Sequence, residues 1–127
     1  MDRELIVRYS NRSETAGLLK TYQAKGRCEE PECGDVLEYT INTKREIITE
    51  IGFDITKTAC LPMKACAQAV SELAKDKPVL EAYLIDADII AKSVGGLDKE
   101  NIHCAMMAEL ALKHTIIDYS KKKQKIL

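Results

Sequence analysis

A net charge of either sign is what this sequence lacks most plainly. Nineteen basic and twenty acidic side chains leave a formal charge of −1 over 127 residues. That balance gives no electrostatic footprint for nucleic acid or for an anionic membrane surface, and neither is expected as a partner. The only basic run, Lys121–Lys123 with Lys125, falls at the C-terminal end and reads as a solvated helix end or tail. No apolar stretch approaches the roughly 20 residues that cross a bilayer. Met1-Asp2-Arg3-Glu4 carries acid early and lacks the basic-then-apolar pattern of a secretory leader, so a cytoplasmic protein is expected. There is no internal repeat, no low-complexity block and no linker rich in Pro, Gly or Ser. The length suits a single domain, residues 1–127, with one modest core. Hydrophobic residues at 46% and charged residues at 31% exclude a disordered composition.

The five cysteines contain no C-x₂-C pair, which speaks against a zinc finger or ribbon. In a reducing compartment, thiols odd in number point away from structural disulfides and toward free thiols or metal ligands.

What is present is a run of strands followed by a run of helices. Residues from about Arg3 to Tyr9 suit a short N-terminal helix. From Asn11 to Glu32, with Gly17, Gly26 and Pro31, the pattern is irregular and is read as loop or partly extended chain. Asp35–Asn42 alternates, with Leu37, Tyr39 and Ile41 on one face and Glu38, Thr40 and Asn42 on the other. Ile47–Phe53 continues the alternation, with Ile47, Thr49, Ile51 and Phe53 set against Ile48 and Glu50. The two runs, separated by Thr43–Glu46, form an antiparallel hairpin. Three helices follow. Pro62 opens Met63–Ala74. Asp86 or Asp88 caps Ile89–Val94, which Gly95-Gly96 stops. The longest runs from about Glu100 to Ser120, with Ile102, Met106, Leu110 and Ile117 in an apolar stripe. The fold class expected is α+β: a small antiparallel sheet of about three strands, its third strand not placed by pattern, with helices on one face.

Three cysteines fall at element ends, where distant parts of a chain can converge on one rim of a sheet. Cys33 precedes the first strand of the hairpin, Cys60 lies just ahead of Pro62, and Cys104 lies near the start of the last helix, beside His103. A helix N-terminus in general favours thiolate over thiol, and thiolates suit iron–sulfur clusters, Zn²⁺ and Cu(I). On spacing alone, a three-cysteine metal site and buried, inert thiols remain equally open.

Cys33-Gly34-Asp35-Val36, then the hairpin, then Cys60, then Ile102-His103-Cys104-Ala105-Met106-Met107-Ala108-Glu109 resemble, in that order, the NifU-like N-terminal domain, the IscU-type iron–sulfur cluster scaffold. The likeness runs from about Tyr9 to Tyr119. It implies that Cys33, Cys60 and Cys104 are the cluster-binding and sulfur-accepting thiolates. It also implies that Asp35 governs cluster lability and that His103 is the histidine beside the last cysteine. A transient [2Fe–2S] cluster, built from iron and sulfur, is the implied cofactor, with Zn²⁺ able to occupy the same site. The implied partners are a cysteine desulfurase and apo iron–sulfur proteins. A carboxylate or imidazole is a weaker partner for sulfide-bridged iron than a fourth thiolate, which suits a site that must release its product. The fourth ligand stays open among Asp35, His103 and Cys66, and the cluster-bound form between monomer and homodimer. Such a role turns over no substrate, so the chain is read as a scaffold and not an enzyme.

The sequence also departs from the family pattern. Ala59 and Leu61 flank Cys60 where relatives carry glycines, and such neighbours restrict the approach of a sulfur donor. Leu97-Asp98-Lys99-Glu100-Asn101 replaces the Leu-Pro-Pro-Val-Lys segment gripped by Hsp70-type chaperones, which puts delivery by that chaperone in doubt. The stretch between Cys60 and Cys104 lacks the insertion of zinc-bound SufU-type sulfur acceptors. A zinc-binding sulfurtransferase partner of a desulfurase is the alternative function, and an interaction module with inert cysteines is a second.

Other residues read more plainly. His114 is a surface or packing residue, Met63, Met106 and Met107 are core filler, and Cys28 is a loop thiol.

Overall fold

The computed structural model describes residues 1–31 and 34–126, with side chains through Lys123. Among them, helix α1 is Arg3–Ser13, followed by strands β1 Ala24–Glu29, β2 Val36–Lys44 and β3 Ile47–Ile55. Helices α2 Leu61–Ala74, α3 Val79–Tyr83, α4 Ala87–Ser93 and α5 Ile102–Ile126 come after. The strands form one antiparallel sheet in the order β1-β2-β3. The α+β class and the hairpin are therefore as the sequence predicts. The third strand is β1, inside the stretch whose pattern is irregular.

The β2–β3 turn is shorter than the four-residue separator read from the sequence. Thr43 and Lys44 remain in the ladder, leaving Arg45 and Glu46 at φ 55° and 66°. Two successive positive values are the geometry of a two-residue turn whose twist matches that of the flanking strands.

The alternation expected along β3 holds only for its second half. Asn42 pairs with Glu50 but Thr43 pairs with Ile48, so Thr49 is an extra residue in the ladder. This bulge resets the side-chain parity. Ile48 is buried before it and Phe53 after it, while Ile47 and Thr49, expected on the same side as Phe53, are exposed.

Leu37, Tyr39 and Ile41 of β2 face the core together with Phe53, and α2 and α5 lie over them. The buried Tyr39 hydroxyl donates to the Ala67 carbonyl of α2 at 2.6 Å. Outside α2 sits α1, where Ile6 packs with Ala65, Ala69 and Val94, and Arg12 reaches both carboxylate oxygens of Glu72. Asp86 accepts from the Ile89 amide at 2.9 Å, the expected cap of α4, and Gly95 and Gly96 end it at positive φ.

The orientation of α5 corrects the sequence reading. Ile102, Met106, Leu110 and Ile117 do share a face, but it is the outer one: Met106 is 53% exposed and Leu110 43%. The inner face carries Cys104, Ala105, Met107, Ala108, Ala111, Leu112, Thr115 and Ile116. Met63 and Met107 are core filler as expected, whereas Met106 is not. Successive side chains in a helix turn by about 100°, and that step carries Met106 to the outer face with Ile102 and Leu110 while Met107 points inward. Ala105, Ala108, Ala111 and Thr115 stand among the larger residues of the inner face, and at Thr115 α5 lies almost on the backbone of β1. A Cβ placed on Gly26 would stand 2.2 Å from the Thr115 nitrogen.

The outer edge of β1 is satisfied by the same helix. The Lys25 amide donates to Asp118 at 2.9 Å, and His114 Nδ1 donates to the Arg27 carbonyl at 2.8 Å. His114 is thus an edge-covering residue, consistent with its packing role.

Candidate functional site

Three chain segments meet at the end of the sheet away from the Arg45-Glu46 turn. One is the link from β1 to β2. Glu30 donates its amide to the Asp35 carbonyl at 2.8 Å and accepts from the Gly34 amide at 2.8 Å, and Gly34 turns the chain at φ 75°. Asp35 emerges half-buried at the base of β2.

The second segment joins β3 to α2. Thr56 pairs with Val36, the Ala59 amide donates to the Thr56 carbonyl at 2.9 Å, and Cys60 is the N-cap residue of α2 with its carbonyl accepting from Lys64. Cys60 is exposed, Ala59 is buried in the core cluster, and Leu61 is exposed. The third segment is the first turn of α5, entered through a 3-10 turn at Lys99–Asn101 that Asp98 precedes. His103 is exposed there and Cys104 is buried.

Glu30, Asp35, Thr58, Cys60, Met63 and His103 line one cleft of about 380 Å³. His103 Nε2 stands 3.7 Å from the Cys104 sulfur, which joins that thiol to the cleft through the ring. The structure thus brings Asp35, Cys60 and His103, three of the five residues singled out by sequence, onto one cleft, with the buried Cys104 behind His103. The fifth, Cys33, lies outside the described residues. Among the described residues no group of three His, Cys, Asp or Glu side chains is drawn close enough to hold a metal ion. The cleft is far larger than the share of one liquid water, about 30 Å³, and has room for a cluster of a few atoms.

The other thiols are placed differently. Cys66 is buried against the core, and burial, then the neighbouring Cys60, pushes its thiol up to about 12. At neutral pH it keeps its proton and packs in the core. Cys28 belongs to β1, not to a loop; it is half-buried, and burial followed by the Glu30 charge raises its thiol above the ordinary value.

Sequence reasoning did not single out Glu30 or Thr58 as lining residues. The signal available was proximity in the chain, since Glu30 is three residues before Cys33 and Thr58 two before Cys60. Glu109, at the end of the His-Cys helix start, points elsewhere: its carboxylate accepts from the Ala87 amide at 2.7 Å and meets Lys113 at 3.6 Å. It fixes α4 to α5.

The family model for the NifU-like N terminal domain matches residues 2–126. The chain is 34% identical over 110 residues to an iron–sulfur cluster assembly scaffold protein IscU of Archaeoglobus fulgidus, covering 87% of this chain and 71% of that one. It is 33% identical over 126 residues to the IscU scaffold protein of Rickettsia prowazekii, covering 96% and 93%. Among solved structures, it resembles a putative iron–sulfur cluster assembly scaffold protein for the SUF system from Fervidobacterium islandicum. The TM-score is 0.72 at 17% identity, covering 89% of this chain and 94% of that one. A NifU-like N-terminal protein of Brucella abortus matches at TM-score 0.66 and 13% identity, covering 97% and 94%. These two likenesses concern the fold.

Proposed function

This chain belongs to the NifU-like N-terminal domain family, and from that membership we propose that it is a cytoplasmic scaffold, one domain over residues 1–127, on which an iron–sulfur cluster is assembled and passed on. One observation carries the reading: Asp35, Cys60 and His103 line a single cleft, with Cys104 at 3.7 Å from His103. Cys33, Cys60 and Cys104 are the proposed thiolates, and Asp35 or His103 supplies the fourth, weaker ligand. Cys66, in the core cluster with its thiol pushed up by burial, stays the third candidate for that position.

The cluster is cargo, a [2Fe–2S] unit in this proposal. A cysteine desulfurase delivers sulfur when a site thiolate attacks the terminal sulfur of the donor persulfide. The donor S–S bond breaks, a new one forms, and the donor leaves as a thiolate. Reduction of that sulfur to sulfide takes two electrons from an external thiol reductant, which leaves as a disulfide and returns the site thiolate. Among the described thiols, the exposed Cys60 is the one best placed for this attack. Soft thiolates then hold iron, while the carboxylate and imidazole bind it less tightly and let an apo-protein take the cluster by ligand exchange.

The donor set also suits Zn²⁺ in a tetrahedral site. The second reading, a zinc-bound sulfur acceptor, therefore uses the same residues. Anaerobic reconstitution with ferrous iron, cysteine and a desulfurase separates the two. A scaffold develops visible charge-transfer bands with iron and acid-labile sulfide in equal amounts, lost in Cys33→Ser, Cys60→Ser and Cys104→Ser. A colourless protein that retains zinc and still stimulates the desulfurase overturns the scaffold reading.

A further inference from the structure

The two non-helical walls of the cleft belong to different segments, and one residue ties them together. Thr56, just past the end of β3, faces Val36, the residue that follows Asp35. Its hydroxyl accepts from the Val36 amide at 2.8 Å, and its own amide donates to the Val36 carbonyl at 3.1 Å. In the other direction, the Thr56 carbonyl accepts from the amide of Ala59, the residue before Cys60, at 2.9 Å. Asp35 and Cys60 are therefore each one residue from a hydrogen bond to the same threonine. The buried Ala59 anchors the loop on the Cys60 side, and Cys60 then enters α2 as its N-cap residue.

We infer that Thr56 is a positioning residue for the cleft: it sets the separation of Asp35 from Cys60 and thereby governs how firmly bound cargo is held. The inference rests on the scaffold reading for its functional consequence, but the clip is a property of the empty protein as well. The backbone pairing between Thr56 and Val36 continues the β2–β3 ladder and needs no particular side chain. The hydroxyl bond to the Val36 amide does, and it distinguishes threonine from its isostere valine. A ligand held by two independently moving walls loses the benefit of pre-organisation, so loosening the clip speeds release.

Thr56→Val keeps the β-branched shape and removes the acceptor, whereas Thr56→Ser keeps the acceptor. In reconstituted protein, Thr56→Val is expected to release its cluster to a chelator roughly tenfold faster, the size of one lost hydrogen bond. Its visible circular dichroism should change, and Thr56→Ser should restore both. If wild type builds a cluster and Thr56→Val releases it at the wild-type rate, the inference is overturned while the scaffold reading stands. If wild type builds none, the scaffold reading fails, and the clip is judged on the apo-protein by amide hydrogen exchange at Ala59 and alkylation of Cys60. Both should be faster in Thr56→Val and of wild-type rate in Thr56→Ser. Unchanged rates overturn the inference. Thr56→Ala serves the same measurements if the valine variant does not fold.

Discussion

Gly26 of β1 and Thr115 of α5 meet backbone to backbone, with no space for a side chain between them: a Cβ on Gly26 would lie 2.2 Å from the Thr115 nitrogen and 2.6 Å from the His114 carbonyl carbon. No rotamer change relieves such an overlap, because the obstructing atoms are main chain. Gly26→Ala must lift α5 from the sheet, and with it the turn that carries His103 and Cys104. The expected loss of stability is at least the cost of an overpacked core, about 1–3 kcal/mol. Denaturant unfolding measures it, and a midpoint equal to that of wild type would contradict the contact.

The two faces of α5 should respond oppositely to substitution. Leu110→Gln, on the outer face, is expected to change stability by no more than about 0.5 kcal/mol. Ala108→Leu, on the inner face where no room exists, should cost about 1–3 kcal/mol. Thermal or urea unfolding of the pair tests the orientation directly. A larger loss from Leu110→Gln than from Ala108→Leu would reverse it.

Cys66 links stability to alkaline pH. Burial raises its thiol from an ordinary 9.0 to about 12 in the folded chain. Above pH 9 the unfolded chain gives up this proton and the folded chain does not, so the unfolded state binds fewer protons and stability falls as pH rises. The contribution is intact below pH 9, declines by about 1.4 kcal/mol per pH unit above it, and is lost by about pH 12. Cys66→Ala should flatten this limb when unfolding is followed from pH 8 upward. A variant with the wild-type slope would show that Cys66 is not the group responsible.

Asp35 lines the cleft and is one of the proposed ligands weaker than a thiolate. Asp35→Ala is expected to lengthen the life of a bound cluster, because release proceeds through the ligand that exchanges most readily. Transfer to an acceptor apo-protein, followed by visible absorption, should slow severalfold. A rate equal to that of wild type would remove Asp35 from the release step.

The parts of the fold that were legible are those whose cause is local. The hairpin shows through the period of Leu37, Tyr39 and Ile41, α2 through Pro62, and α4 through its Asp86 cap. The parts that were not legible have causes elsewhere in the chain. β1 is Ala-Lys-Gly-Arg-Cys-Glu, with none of the branched or aromatic residues that mark a strand. Its inward positions, Ala24, Gly26 and Cys28, are small because α5 lies on them, a requirement set some 90 residues later. The inner face of α5 mixes Ala105, Ala108 and Ala111 with Met107, Leu112 and Ile116, so bulk alone does not mark it, and the stripe of Ile102, Met106, Leu110 and Ile117 lies on the wrong side. The site followed a similar division: Asp35, Cys60, His103 and Cys104 were marked by their chemistry, whereas Glu30 and Thr58 enter the cleft only through the geometry of their loops.

Helix α5 is fastened at both ends. Its first turn carries His103 and Cys104 at the cleft, and Tyr119 and Lys123 bond to Glu46 in the opposite hairpin turn. It therefore behaves as a ruler graduated in residues. Each residue inserted or deleted between those ends would shift one end by about 1.5 Å and rotate it by about 100°. The glycine contact and the alanine face would then fall out of step with β1, and Cys104 would turn away from the cleft. An inserted or deleted residue is consequently easier to absorb in a loop than within α5, and the count of residues from Cys104 to Tyr119 is as much a part of the site as the thiol itself.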